Sequence, residues 1–209
     1  MSADALRPAE APSARLLLAT RNSGKLVELR RMLSGFDVVG LADVPDFPEA
    51  PETGATFAEN ALAKAHDAAA ATGLPSVADD SGLAVDALNG MPGVLSARWS
   101  GRHGDDRANL ELLLAQVGDV PDERRGAAFV CAAALVVPGG PETVVHGEWA
   151  GSLTRAPRGT NGFGYDPIFV ADGHDMTNGE LEPAAKDAIS HRGKAFRELA
   201  RVIARELPA

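Results

Sequence analysis

Cysteine is nearly missing from this sequence, which holds only Cys131 among its 209 residues. A single thiol cannot form a disulfide within the chain, and its setting in the apolar run AAFVCAAALVV (127–137) predicts a small buried side chain. No apolar run is long enough to span a bilayer. The first residues, MSADALRPAEAPSA, also lack the apolar core of a signal peptide, so we expect a cytoplasmic protein with no membrane partner.

The sequence also has fewer basic than acidic residues. It contains 20 Lys and Arg and 29 Asp and Glu, which gives a formal net charge of −9. A protein that binds nucleic-acid polymers through their backbones needs a basic surface, so this balance excludes that class. It leaves room for a small anionic ligand in a locally basic pocket. The length suits one domain, which we place at residues 15–209, after a flexible leader at 1–14.

Strand and helix signals alternate in the first half of the sequence, and strands follow one another in the second half. Hydrophobic patterning predicts strands at 15–19, 36–41, 76–79, 83–87, 127–137, 143–149 and 168–170, and helices at 23–33, 56–73, 105–117, 178–189 and 190–205. A capping box, Thr56-Phe-Ala-Glu59, opens the second helix, and Gly73 closes it. This order is typical of an α/β fold with a mixed central twisted sheet flanked by helices.

The segment TRNSGK (20–25) joins the first strand to the first helix. It is not a Walker A loop, which has a second glycine and a Ser or Thr after the lysine. Even so, free backbone N–H groups at a helix start attract anions, and Lys25 adds a positive charge. The alternative is an ordinary connection in which Asn22 or Ser23 caps the helix and Lys25 is a solvated surface residue.

Two adjacent carboxylates interrupt the apolar pattern in VADDSGLAV (77–85). Neighbouring side chains on a strand point to opposite faces, so Asp79 and Asp80 are expected to play different roles. A Mg²⁺ ion is one partner that such carboxylates accept, together with substrate phosphates. The alternative is a turn at 80–82 in which Asp80 and Ser81 bond to local backbone.

Further polar residues could complete a site around these carboxylates. Either Glu49 or Glu52, in the acidic loop before the second helix, could supply another metal ligand. Asn60 and Lys64 share one helix face, where Asn60 could orient a carboxylate and Lys64 could meet phosphate. The alternative is an exposed polar stripe.

The second half of the sequence carries a glycine-rich segment, GTNGFGYDP (159–167), and a later Ser190-His-Arg-Gly193. Glycine lets the backbone approach a ligand, and an aromatic ring can stack on a base. The alternative is a turn whose Phe163 and Tyr165 fill the core. His191 and Arg192 fall at a helix start, where cations oppose the helix dipole unless an anion compensates.

Taken in order, the segments TRNSGK, PETGATFAENALAKA, ADDSGLAVDALNGMPGVLSARWSG, GTNGFGYDPIF and KDAISHRGKA resemble the inosine/xanthosine triphosphate pyrophosphatases. The resemblance covers the chain from Leu16 to the final helix. It implies an elongated α/β fold with two lobes around a nucleotide-binding cleft, usually a homodimer. One departure is Asn161, where the family often has glycine, and a side chain there could alter the loop.

The resemblance also implies roles for individual residues. It makes Asp80 the catalytic aspartate and a metal ligand, with Glu52 as the second acidic ligand for Mg²⁺. It assigns substrate binding to Thr20, Arg21, Asn22, Ser23, Gly24, Lys25, Ser81, Phe163, Gly164, Tyr165, Asp166, Lys186, His191 and Arg192. The implied reaction converts deaminated purine nucleoside triphosphates to monophosphate and pyrophosphate. Two rivals remain: a pyrophosphatase of other modified nucleotides, and a nucleotide sensor that does not hydrolyse its ligand.

Overall fold

The computed structural model describes residues 15–48 and 51–207. The leader predicted at 1–14 and the candidate ligand Glu49 lie outside the described residues. The strands are β1 (Leu16–Leu18), β2 (Val38–Gly40), β3 (Ser76–Val85), β4 (Gly126–Val136), β5 (Glu142–Leu153) and β6 (Phe169–Ala171). The α-helices are α1 (Ser23–Met32), α2 (Phe57–Thr72), α3 (Asp106–Gln116), α4 (Pro183–Ile189) and α5 (His191–Glu206).

The strands form one mixed sheet in the order β2-β1-β3-β4-β5-β6. The first three strands of this order are parallel, and the remaining neighbours are antiparallel. β1 pairs with β3 only at Ser76 and Val77, whereas β4 pairs with β3 from Ser76 to Val85. One edge of β3 therefore runs on beyond the end of β1. The predicted α/β fold with a mixed sheet is confirmed.

Helices cover the two faces of this sheet. On one face, α1 and α5 pack against β1, β3 and β4, and Cys131 lies in this cluster. On the other face, alanines of α2 pack against Ala78, Ala132 and Ala134, whose small side chains let the helix approach closely. Cys131 is buried as predicted, and burial raises the pKa of its thiol to about 12, so the thiol is held in its neutral form.

The ends of α2 follow the local signals. Thr56 Oγ1 accepts a hydrogen bond from Glu59 N at 3.2 Å, and the Glu59 carboxylate accepts one from Thr56 N at 3.2 Å. Gly73 ends the helix with a left-handed φ of 70°. The predicted capping box and C-cap are confirmed, and they fix the helix that carries Asn60 and Lys64.

Two predicted elements are wrong. β3 is one continuous strand, not two strands around a turn at 80–82, because Asp80, Ser81 and Gly82 pair with β4. The helix predicted at 178–189 begins only at Pro183, after an extended Glu182. Asn178 instead donates to the Asp166 carboxylate at 3.2 Å, which holds this part of the chain outside the helix.

Candidate active site

A cavity of about 580 Å³ lies along the edge of β3 that extends beyond β1. It is bounded by the β1–α1 loop, α2, the 3₁₀ helix Gly93–Arg98, the turn around residue 163 and the start of α5. The predicted residues that line it are Thr20, Arg21, Asn22, Lys25, Glu52, Lys64, Asp80, Ser81, Phe163, Gly164, Tyr165, Asp166, His191 and Arg192. The fold thus brings most of the predicted residues to one cavity. Gly24 and Lys186 lie outside this lining.

The β1–α1 loop presents the start of a helix to this cavity. Asn22 is the cap, because its Oδ1 accepts a hydrogen bond from Lys25 N at 3.0 Å. Ser23 is the first residue of α1, and an added Cβ on Gly24 would lie 3.0 Å from the Phe163 ring. Lys25 is not a solvated surface residue, since its side chain is 13% exposed and its Nζ lies 2.9 Å from Asp79 Oδ2.

Asp79 and Asp80 point to opposite faces of β3, as their adjacency predicts. The fully buried Asp79 carboxylate contacts Lys25, lies 3.5 Å from Arg192 Nε, and accepts a hydrogen bond from Ser81 Oγ at 2.6 Å. Burial alone would raise its pKa, but the charges of Lys25 and Arg192 hold it well below the ordinary value. Asp79 is therefore an anion that fixes two cations in place.

Asp80 faces α2 and has a different environment. Its Oδ2 accepts a hydrogen bond from Asn60 Nδ2 at 3.1 Å, and its Oδ1 lies 3.2 Å from Lys64 Nζ. Burial raises the pKa of this carboxyl above its ordinary value, and nearby Glu52 acts in the same direction. A carboxyl with a raised pKa beside open space is suited to accepting a proton.

Glu52 lies across the cavity edge from Asp80. Its Oε1 is 3.0 Å from Lys64 Nζ, and its Oε2 is 2.9 Å from an Arg98 guanidinium nitrogen. Arg98 also donates to the Glu52 backbone carbonyl at 3.2 Å. Burial would raise the pKa of Glu52, but the charges of Lys64 and Arg98 lower it, so this residue is held as a carboxylate.

The carboxylates of Glu52 and Asp80 therefore converge on one point. Within residues 15–48 and 51–207, no group of three or more His, Cys, Asp or Glu side chains could hold a metal ion. A pair of carboxylates is nevertheless the donor set that Mg²⁺ takes when substrate phosphates provide the other ligands. The residues present fit the predicted ion.

The two aromatic residues of the glycine-rich turn have separate positions. The Phe163 ring lines the cavity, and its centroid lies 5.2 Å from Lys186 Nζ and 5.0 Å from Arg192 Cζ. Tyr165 is 4% exposed, packs in the core, and donates its hydroxyl to Ser96 O at 2.9 Å. Phe163 is the ring available to a ligand, whereas Tyr165 mainly anchors the turn.

Asn161 does not need a left-handed backbone in this turn. Among the described residues other than glycine, only Asn89 has a positive φ, so Asn161 has a conformation open to any residue. Its side-chain amide donates to Leu181 O at 3.1 Å. This contact links the loop to the segment before α4, and the effect of the side chain on the loop backbone stays a prediction.

Gly162 is required where it stands. Its φ is +75°, and an added Cβ would lie 2.1 Å from Asp166 Oδ2, the oxygen that accepts from Phe163 N. We expect Gly162→Ala to lower the free energy of unfolding, measured in urea, by about 2 kcal/mol or more. The strain of an alanine in a left-handed conformation and the cost of displacing the Asp166 carboxylate both contribute to this loss. Gly164→Ala is the matched control, since φ is +60° there and no atom lies within 4 Å. Equal losses in both variants would show that the Asp166 contact is unimportant.

A buried chain of alternating charges lies behind the cavity wall. Glu28 of α1 contacts Lys186 Nζ at 3.0 Å and Arg192 at 3.0 Å. Lys186 Nζ is also 2.7 Å from Asp166 Oδ2. Glu28 compensates the Arg192 cation at the start of α5, which resolves the expected conflict with the helix dipole. Lys186 therefore supports the turn from behind the wall.

His191 also lies at the start of α5, where a positive charge would oppose the helix dipole, but its imidazole ring is neutral. Burial and the charges of Arg192 and Lys186 hold its pKa well below the ordinary value. Its ring stacks on Phe129, with centroids 4.8 Å apart and planes 10° apart. Both ring nitrogens are buried and have no hydrogen-bond partner among the described residues. The neutral ring thus holds one nitrogen donor and one acceptor that are unpaired among the described residues and lie below the accessible surface.

Sequence reasoning missed several residues of this region. Arg98, His103, Asp106, Asn109 and Phe129 line the cavity, and Glu28 contacts both Lys186 and Arg192. Glu28 follows Lys25 by three positions on one helix, so it shares a face with a predicted site residue. Arg98 lies within the SARWSG part of a segment that carries the resemblance. The others have no local signal.

Comparisons with known proteins agree with this architecture. The Ham1 family matches residues 16–202. A Nocardia farcinica protein named dITP/XTP pyrophosphatase is 71% identical over 191 residues, which cover 89% of this chain and 93% of that protein. A Streptomyces avermitilis protein of the same name is 61% identical over 197 residues, covering 92% and 98%.

Solved structures give the same result. The crystal structure of a nucleoside-triphosphatase, dITP/XTP pyrophosphatase, from Mycobacterium abscessus is 63% identical, with a TM-score of 0.74 over 88% of this chain and 98% of that one. A HAM1 protein from Coxiella burnetii is 42% identical, with a TM-score of 0.81 over 92% and 99%. None of the described helices is both long and apolar enough to cross a membrane. The match across residues 16–202, together with these identities, shows that the chain belongs to the Ham1 family.

Proposed function

We propose that this protein hydrolyses deaminated purine nucleoside triphosphates (ITP, dITP and XTP) to the nucleoside monophosphate and pyrophosphate. Removing these nucleotides from the pool would prevent their incorporation into DNA and RNA. The observation that carries the proposal is one cavity that collects the cationic start of α1, a carboxylate pair and a half-buried aromatic ring. The name of the relatives, dITP/XTP pyrophosphatase, supports the same activity.

The start of α1 is suited to hold the triphosphate. Its free N–H groups and the Lys25 ammonium attract phosphate oxygens. Water attacks the α-phosphorus, and the bond between that phosphorus and the bridging oxygen to the β-phosphate breaks. The leaving pyrophosphate takes the electron pair, and these same donors stabilise its charge.

In this proposal, Asp80 receives the proton of the attacking water. Asn60 fixes the orientation of its carboxylate through the 3.1 Å hydrogen bond. Asp80 and Glu52 are the residues that would hold Mg²⁺. When bound, the ion supplies charge neutralisation for the phosphate oxygens.

Base choice follows from hydrogen-bond donors near Phe163. Hypoxanthine and xanthine present a keto oxygen at position 6, where adenine presents an amino group. Arg192 and His191 line the cavity, and Arg192 Cζ lies 5.0 Å from the centroid of the Phe163 ring, so the guanidinium is the proposed donor. A fixed donor that meets the adenine amino group leaves two donors unpaired, which can discriminate by about 10⁴-fold.

A product assay with Mg²⁺ tests this function. On a panel of dITP, XTP, dGTP, dATP and dUTP, we expect pyrophosphate from dITP and XTP, and no orthophosphate. Equal turnover of every base would favour the rival pyrophosphatase of other modified nucleotides. Nucleotide binding without any product would favour the sensor, and orthophosphate would contradict cleavage at the α-phosphorus.

We also propose that the active form is a cytoplasmic homodimer and that residues 15–209 act as one domain. The family resemblance supports the homodimer. The net charge of −9 supports a small nucleotide, and no nucleic-acid polymer, as the partner.

A further inference from the structure

Lys64 occupies the point on which the Glu52 and Asp80 carboxylates converge. It extends from α2, its side chain is 17% exposed, and its Nζ lies 3.0 Å from Glu52 Oε1 and 3.2 Å from Asp80 Oδ1. The same two residues are the proposed ligands of the divalent cation. An ammonium group and a metal ion therefore compete for the same oxygens.

We propose that Lys64 is a built-in counter-ion that keeps divalent cations weakly bound until a nucleotide supplies phosphate oxygens. This inference rests on the proposed function, because it concerns how the same site is loaded. It makes metal binding and nucleotide binding mutually dependent, so that each strengthens the other.

The local charge balance supports this coupling. Arg98 contacts Glu52 Oε2 at 2.9 Å, so the two carboxylates are already balanced by the cations of Arg98 and Lys64. A divalent cation that entered alone would leave an uncompensated double positive charge in a half-buried site, which is costly. A triphosphate brings the negative charge that offsets it.

The geometry distinguishes Lys64 from Arg98 as the competing cation. Arg98 donates one hydrogen bond to Glu52 Oε2 and another to the Glu52 backbone carbonyl. Lys64 bridges an oxygen of each carboxylate through a flexible stem with three donors. Its ammonium can turn toward an anionic ligand while its backbone stays in α2.

Titration of Mn²⁺ into the nucleotide-free protein, followed by the electron paramagnetic resonance of free Mn²⁺, tests the proposal. We expect Lys64→Gln to bind Mn²⁺ at least about tenfold more tightly than wild type, since a competing positive charge is removed. Lys64→Arg keeps the charge and should bind as weakly as wild type. Lys194→Gln is the matched control, because Lys194 contacts the Glu148 carbonyl and lies outside the cavity lining.

Equal or weaker Mn²⁺ binding by Lys64→Gln would overturn the proposal. A second measurement uses only the wild-type protein. With a non-hydrolysable ITP analogue present, the protein should bind Mn²⁺ more tightly than it does without the analogue, and more tightly than the analogue binds Mn²⁺ in the absence of protein. Wild-type protein that binds Mn²⁺ equally well without the analogue would also overturn it. Both outcomes are independent of the product assay, so a failure here is distinct from a failure of the proposed function.

Discussion

Replacing Asp80 with asparagine should lower turnover of dITP by about 10²–10⁴-fold, the range that loss of a general base produces. The amide cannot take a proton from water, and it removes one of the two carboxylates proposed to hold Mg²⁺. The fold should persist, because the amide oxygen can still accept the Asn60 hydrogen bond. Pyrophosphate release measures the first effect, and circular dichroism measures the second.

Two further variants test whether the loss of turnover is specific to Asp80. Asp119→Asn changes an exposed carboxyl in the turn after α3, outside the cavity lining, and should leave turnover unchanged. Asp79→Asn should mainly reduce stability, since Asp79 is fully buried between Lys25 and Arg192. Near-normal turnover by folded Asp80→Asn protein would contradict the proposed role of Asp80.

The second large effect concerns stability. Glu28→Gln should lower the free energy of unfolding by about 3–5 kcal/mol, the cost of removing one partner from a buried ion pair. Lys186 and Arg192 are only 4% and 6% exposed at their side chains, and both would lose this carboxylate. The shape of the side chain is kept, so the loss reflects charge rather than packing. Chemical denaturation monitored by circular dichroism gives the value.

Glu198→Gln on α5 provides the control for this variant. Glu198 is 51% exposed and pairs with Arg201 three residues later, so its loss should change stability by no more than about 1 kcal/mol. Similar losses for both variants would show that the buried position of Glu28 contributes nothing. A stable Glu28→Gln protein would mean that Asp166 and Asp79 compensate the two cations without Glu28.

Local signals were sufficient for much of the fold. The α2 capping box and the Asn22 cap depend on residues within three or four positions, so the sequence alone reveals them. The alternation of strand and helix signals also predicted a mixed sheet. Adjacency on a strand was enough to predict that Asp79 and Asp80 differ.

Contacts between residues that are far apart in the sequence could not be predicted from local patterns. The turn predicted at 80–82 was wrong because adjacent aspartates inside a buried strand require cations, and these come from α1, α2 and α5. Glu28 meets Arg192 across 164 positions of the chain, a contact that no local pattern contains. Arg98 likewise meets Glu52 only after folding.

With the roles proposed for Asp79 and Asp80, their alternation along β3 also makes strand alignment a condition for activity. β3 and β4 are matched over ten residue pairs, with Asp79 opposite Ala133 and Asp80 opposite Ala132. A slip of one position would turn Asp80 toward Lys25 and Asp79 toward Lys64, exchanging the proposed proton acceptor with the structural anion. A misaligned chain would keep every side chain of the site and yet be inactive, so correct folding of this ladder is itself a catalytic requirement.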